Sequence, residues 1–151
     1  MNLLLDTNIL VDVLRKRNCD YDASRLLLAL GSLHEFELWI SPSQLGDLLY
    51  VLTHGGKKSL ADPVARELSA LLGFVRVCTF GHDDAIAALA SGFDDAEDAL
   101  VAQAAKSIRA SAIITRNQAD FAASPIPARS SSEFFAWLEE TEGLHYGETL
   151  L

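Results

Sequence analysis

The chain has 151 residues, half of them hydrophobic and 22% charged, with a formal net charge of −9. That is enough for one domain with a buried core, and the composition excludes a disordered or low-complexity chain. The charge excludes a protein that grips nucleic acid through a broad basic face: Arg15-Lys16-Arg17 and Lys57-Lys58 are the only compact basic clusters. Either nucleic acid is not the partner, or bound cations offset the carboxylates where phosphate docks.

The opening run Met1 to Leu5 is apolar, has no basic residues before it and stops at Asp6. It is too short for a secretory signal or for the roughly 18 residues of a membrane span, so a cytoplasmic protein with no membrane partner is expected. Leu3–Leu5 reads as a short buried strand, followed by Asp6-Thr7-Asn8 and a helix from near Ile9. Ala23–Leu33 has helical spacing, and Leu38–Ile40 reads as a second strand. Ser41-Pro42-Ser43-Gln44 has the spacing of a capping box with Pro at the first helical position. The helix it opens is expected to bury Leu45, Leu48, Leu49 and Leu52, with Tyr50 and Val51 suggesting a second, partly buried face.

Leu60–Leu72 is the next helix, with Pro63 early enough for a first turn to tolerate it. Val75–Cys78 reads as a third strand. Asp94 to Glu97 has capping-box spacing ahead of a helix from near Asp95 whose apolar stripe is Val101, Ala104, Ala105 and Ile108. Ala112–Thr115 reads as a fourth strand, Thr115 to Phe121 as a polar turn, and Ser130 to Glu133 as the cap of a closing helix through Phe134-Phe135-Ala136. Residues 1–141 form the expected domain, and 142–151 show no pattern, as a mobile tail or docking arm would. Cys19 and Cys78 fit no metal or redox spacing, and His34, His54, His82 and His145 are too scattered for zinc. Strands separated by helices imply a parallel sheet with helices on both faces, whose ligands sit outside the carboxyl ends of the strands.

That rule sorts the acids. Asp6 stands at a strand's carboxyl end, yet Asp6-Thr7-Asn8 can equally cap the following helix. Asp98 borders the apolar stripe of its helix, where an acid in the first turn also complements the macrodipole. Asp94, Asp95, Glu97 and Asp98 put four acids in five residues, more than capping requires, and a bound cation would relieve their repulsion. Asp47 points away from its helix's apolar stripe, the ordinary place for an exposed acid. Thr115-Arg116-Asn117-Gln118-Ala119-Asp120 is polar and lies at a strand's end. Oxygen-bearing side chains gathered at one sheet edge suit a hard divalent cation such as Mg²⁺ or Mn²⁺.

Together these segments resemble a known family. Leu3 to Leu10 is similar to the opening strand and first acid of PIN-domain nucleases, and Ser41 to Leu48 to the helix bearing their second acid. Asp95 to Leu100 with Ala104-Ala105 resembles the helix with the third. Ile113 to Asn117 with Asp120-Phe121 resembles the final strand and turn, and Ser132 to Phe135 the closing helix. The resemblance implies an α/β fold, a three-layer α/β/α domain with a mostly parallel sheet, and Mg²⁺- or Mn²⁺-dependent cleavage of single-stranded RNA. It further implies the toxin role in a toxin–antitoxin pair, with an antitoxin partner and a homodimer. Carried over residue by residue, it makes Asp6, Asp47 and Asp98 the acidic triad and Asp95 an extra metal-binding acid. Thr7, Asn8 and Thr115 would orient ligands or water, and Arg116, Arg15 and Arg17 would hold RNA. Two positions depart from the family pattern: Asp47 replaces a usual Glu, and Asn117 takes the place of the last turn's acid, with Asp120 as its substitute.

Rival readings are a non-catalytic PIN-like interaction module and a phosphohydrolase with an aspartate nucleophile. The second wants an acid two residues after Asp6, where the chain has Asn8, and no suitable lysine motif follows.

Overall fold

Leu3, Leu4 and Leu5 are completely buried, as a strand covered on both faces requires. In the computed structural model, which describes residues 1–147, they belong to β1 (Asn2–Leu5), the central strand of a five-stranded parallel sheet. The other strands are β2 (Glu37–Ile40), β3 (Val75–Val77), β4 (Ala112–Ile114) and β5 (Ala128–Arg129). Their spatial order is β3-β2-β1-β4-β5, with Leu4 registered against Trp39 on one side and Ile113 on the other. The chain winds outward from β1 through β2 to β3, then returns to lay β4 and β5 on the opposite side. The carboxyl ends of β1 and β4 therefore flank the topological switch point, where open α/β sheets bind ligands.

Alternation along the strands divides the core. Leu3 and Leu5 face a large cluster with Leu10, Leu27, Leu48 and Phe134. It is built by α1 (Thr7–Leu14), α2 (Tyr21–Ser32), α3 (Pro42–Leu52), α4 (Lys58–Leu71) and α7 (Ser131–Glu142). Leu4 and Ile113 face the other cluster, with Val101, Ala104, Ala105 and Phe121, under α6 (Ala96–Ser107). Alanines on its buried side let α6 approach the sheet closely, and α5 (His82–Leu89) packs on α6. This is the expected α/β fold with helices on both faces.

Two of the three expected capping boxes are formed, at Ser41 with Gln44 and at Ser130 with Glu133. Several local expectations need correction. The cap of α6 is Asp95, not Asp94, its carboxylate accepting from the Glu97 amide at 2.7 Å. Helix α4 begins at Lys58, so Pro63 lies in the second turn, where it has no amide to offer the Ser59 carbonyl. Helix α3 buries a single stripe, Gln44, Leu48 and Leu52, because it packs on α1 and α4 along one side only. Leu49, Tyr50 and Val51 are 40%, 67% and 46% exposed, so the buried position expected for Leu49 and the second face at Tyr50 and Val51 do not form. Strand β5 and helix α5 had no expected counterpart.

After α7, Gly143 takes the left-handed conformation that ends the helix (φ 65°). The chain then folds back, so that Tyr146 packs edge-on against Phe36 and its hydroxyl meets Glu35 at 2.6 Å. Residues 148–151 of the expected tail lie outside the described residues. Among the described residues no helix is long and apolar enough to cross a membrane.

Candidate active site

Asp6 occupies the N-cap position of α1, but its side chain makes no capping hydrogen bond. Its Oδ2 instead accepts from the Asn8 side-chain Nδ2 and from the Thr115 hydroxyl, each at 2.7 Å. Thr115 follows β4 and is fully buried, so this bond ties the ends of the two strands at the switch point. Asn8 Nδ2 also donates to Thr115 Oγ1 at 3.3 Å, and Asn8 Oδ1 accepts the Arg116 amide at 3.3 Å. Thr115 Oγ1 accepts the Asn117 amide at 3.0 Å. The result is a rigid polar lattice aimed at one carboxylate. Burial pushes the Asp6 carboxyl above the ordinary aspartate range and the charge of Asp120 adds to this, while the Thr115 bond and Arg116 oppose it.

Asp98 lies in the first turn of α6. Its carboxyl is pushed from 3.8 to about 6 by burial and then by the charges of Asp95, Asp120, Asp6 and Glu97. Asp6, Asp47 and Asp98 line one cleft of ≈ 360 Å³ with Thr7, Tyr50 and Glu97. Asp47 is exposed on its rim. A neighbouring cleft of ≈ 350 Å³ is lined by Asp94, Asp95 and Asp120, and Asp98 forms part of both walls. Asp120 sits on a 3-10 turn (Gln118–Phe121) pinned to the core by the buried Phe121. Asn117 contributes its backbone amide to this network.

Chemically, the donor set is hard carboxylate oxygen, crowded enough that one acid resists ionisation, which is the environment a divalent cation stabilises. Among the described residues, no three acid, His or Cys side chains stand close enough to hold an ion as placed. The fit to Mg²⁺ or Mn²⁺ therefore lies in donor type and charge.

The three arginines expected at RNA are divided. Arg15 is bound to Glu67 on α4, at 3.0 and 3.2 Å. Arg17 and Arg116 instead converge on Asp12, a buried acid of α1. Asp12 was not among the residues singled out from the sequence. The available signal was an acid inside the apolar run Ile9 to Leu14, followed at once by basic residues.

The chain is thus of the class of parallel α/β/α domains with acids gathered at the carboxyl ends of β1 and β4. The PIN domain family matches residues 2–119, and the chain belongs to that family. A comparison with curated proteins finds no match. Among solved structures, the chain is similar to VapBC2 from Rickettsia felis bound to a promoter DNA fragment, at 21% identity, covering 86% of this chain and 98% of that one, with a TM-score of 0.66. FitAcB from Neisseria gonorrhoeae is similar at 17% identity, 86% and 98% coverage and a TM-score of 0.67. A toxin–antitoxin complex from Klebsiella pneumoniae is similar at 24% identity, 85% and 97% coverage and a TM-score of 0.61.

Proposed function

We propose that the chain is a metal-dependent endoribonuclease that cleaves single-stranded RNA, the toxin of a toxin–antitoxin pair. The observation that carries this reading is the gathering of Asp6, Asp47 and Asp98 in one cleft at the switch point, where burial and then the neighbouring acids raise the Asp98 carboxyl to about 6. Asp6, Asp98 and Asp47, with Asp95, would hold Mg²⁺ or Mn²⁺. When bound, such an ion lowers the pKa of water and neutralises charge developing on phosphate oxygens.

The chain's own residues set the geometry. Asn8 and Thr115 fix the Asp6 carboxylate, and Thr7 lines the same cleft. One carboxylate of the set takes the proton of the attacking water. Asp120, whose charge acts on both Asp6 and Asp98, stands in for the acid that Asn117 replaces. Arg116 and Arg17 hold flanking phosphates, while Arg15 is engaged by Glu67. Residues 1–141 form the catalytic unit and 142–151 its tail, acting in the cytoplasm as a homodimer. An antitoxin partner is supported by the fold neighbours, which include toxin–antitoxin complexes.

A non-catalytic PIN-like interaction module is the second reading, favoured by the absence of a preformed ion cluster among the described residues. One experiment separates them. Purified protein is incubated with a single-stranded RNA oligonucleotide in Mn²⁺ or in EDTA, and Mn²⁺ binding is followed by calorimetry. Cleavage is expected only with Mn²⁺, with kcat/KM falling by about 100-fold or more in Asp6→Asn and Asp98→Asn, the scale of losing a transition-state stabiliser. No heat of Mn²⁺ binding and no cleavage would establish the interaction module instead.

A further inference from the structure

Asp12 is the one acid of α1, and its side chain is only 4% exposed. A carboxylate so deeply placed requires partners, and three side chains supply them. Arg17 Nε donates to Oδ1 at 2.8 Å and Asn18 Nδ2 to Oδ2 at 3.0 Å. Arg116 Nη1 reaches both oxygens, at 3.2 and 3.1 Å. The loop after α1 is bent to make this possible: Lys16 and Asn18 take left-handed conformations (φ 50° and 82°), and the Arg17 amide bonds the Asp12 carbonyl at 2.9 Å. Left-handed backbone is unfavourable for Lys16, less so for an asparagine, and the hydrogen bonds to Asp12 hold the bend.

Arg116 is also tied to the acid site, since its amide bonds Asn8 Oδ1 and Asn8 bonds Asp6. Two guanidinium groups share a single carboxylate, leaving a net positive charge there on a chain of net charge −9. Both remain reachable, with side chains 53% and 37% exposed for Arg17 and Arg116. We propose that Asp12 is a positioning residue that clamps Arg116 and Arg17 into a phosphate-binding subsite beside the acid cluster, for the RNA backbone next to the cleaved bond. Arg15, already paired with Glu67, lies outside this subsite. The inference rests on RNA being the substrate.

The test turns on a sign. If Asp12 acts only as a charge, Asp12→Asn removes a repulsive anion and should strengthen RNA binding. If it positions the arginines, the same change weakens binding. Fluorescence anisotropy with a labelled single-stranded RNA oligonucleotide in Ca²⁺, a hard cation that suits the same oxygen donors but activates water poorly, reads the affinity with the acid cluster intact. Arg116→Ala is expected to weaken binding by about tenfold, as for loss of a charge-assisted hydrogen bond, and to lower the salt slope by about 0.7. Asp12→Asn should weaken it by a comparable factor, with no further loss in Asp12→Asn/Arg116→Ala. In steady-state cleavage with Mn²⁺, Asp12→Asn should raise KM and leave kcat nearly unchanged.

RNA affinity in Asp12→Asn equal to or tighter than its parent overturns the proposal, whatever happens to the melting temperature. So do multiplying losses in the double variant, and so does a parent that binds no RNA. Should Asp12→Asn fail to fold, Asp12→Glu keeps the charge but shifts the carboxylate by a methylene. Its affinity should fall at constant net charge, and an unchanged affinity overturns the proposal. RNA binding with the expected pattern but no cleavage in Mn²⁺ would support the subsite while removing the nuclease reading.

Discussion

If acids at the switch point repel one another, removing one should stabilise the metal-free protein. Asp98 is the position to perturb, because burial and then the charges of four other acids raise its carboxyl. A carboxyl moved from 3.8 to about 6 corresponds to about 3 kcal/mol between its protonation states. Asp98 is partly open to solvent, and screening brings the usable figure to about 1 kcal/mol. For a domain of this size that is roughly 3 °C in melting temperature, gained by Asp98→Asn in EDTA at pH 7.5, against the usual trend for substitutions. The sign with pH follows from linkage: a carboxyl raised in the folded state favours folding below its unfolded value, and that contribution is lost as pH rises through about 6. The advantage of Asp98→Asn should therefore shrink between pH 7.5 and 5. Mn²⁺ should reverse the order, because saturation at about 100 times the dissociation constant adds roughly 2.7 kcal/mol to the wild type, and the variant binds the ion less well. Calorimetric melting of both proteins, in EDTA and in Mn²⁺ at the two pH values, measures every term. A variant that melts below wild type in EDTA at both pH values, with equal gains from Mn²⁺, would refute the repulsion.

Thr115→Val keeps the buried shape but removes the donor to Asp6 and the acceptor of the Asn117 amide. A cost of about 1–3 kcal/mol is expected, read as a lower melting temperature in EDTA; a melting temperature equal to wild type would mean the lattice around Asp6 contributes nothing. Gly31→Ala should also destabilise, since a methyl there meets the fully buried Leu38 side chain. Overpacking of about 1–3 kcal/mol then outweighs the roughly 1 kcal/mol that helix propensity returns, and a urea midpoint at or above wild type would count against that packing.

The parts of the fold that were legible in sequence are those in which burial and periodicity agree. Leu3-Leu4-Leu5 and Ala112-Ile113-Ile114 are apolar runs too short for helices, and both became interior strands of the sheet. Ser41 to Gln44 and Ser130 to Glu133 marked helix starts because their hydrogen bonds are local. Strand β5 was not legible, since Ala128-Arg129 pairs through two residues and takes its extended form from β4. Helix α3 misled at Leu49, Tyr50 and Val51: apolar spacing signals what a helix can bury, but the neighbours decide what it does bury. Those side chains stayed exposed because α1 and α4 occupy only one side.

The acids divide along similar lines. Asp6 was ambiguous in sequence because a cap and a ligand use the same residue types; in the structure its side chain makes no cap bond and turns toward Thr115, 109 residues away. Asp12 was hidden for the opposite reason. In sequence it is a charge interrupting an apolar run, with no signal for a partner 104 residues distant. The same pairing bears on the puzzle set by the net charge. A chain this acidic meets an RNA backbone only if its carboxylates near the site are committed to cations. The acids at the switch point suit a divalent ion, and Asp12 is already committed to two arginines. On this reading, the charge that opposes RNA over the rest of the surface is locally reversed at the sheet edge. Binding should then depend on divalent cation and on Arg116 together, rather than on overall charge.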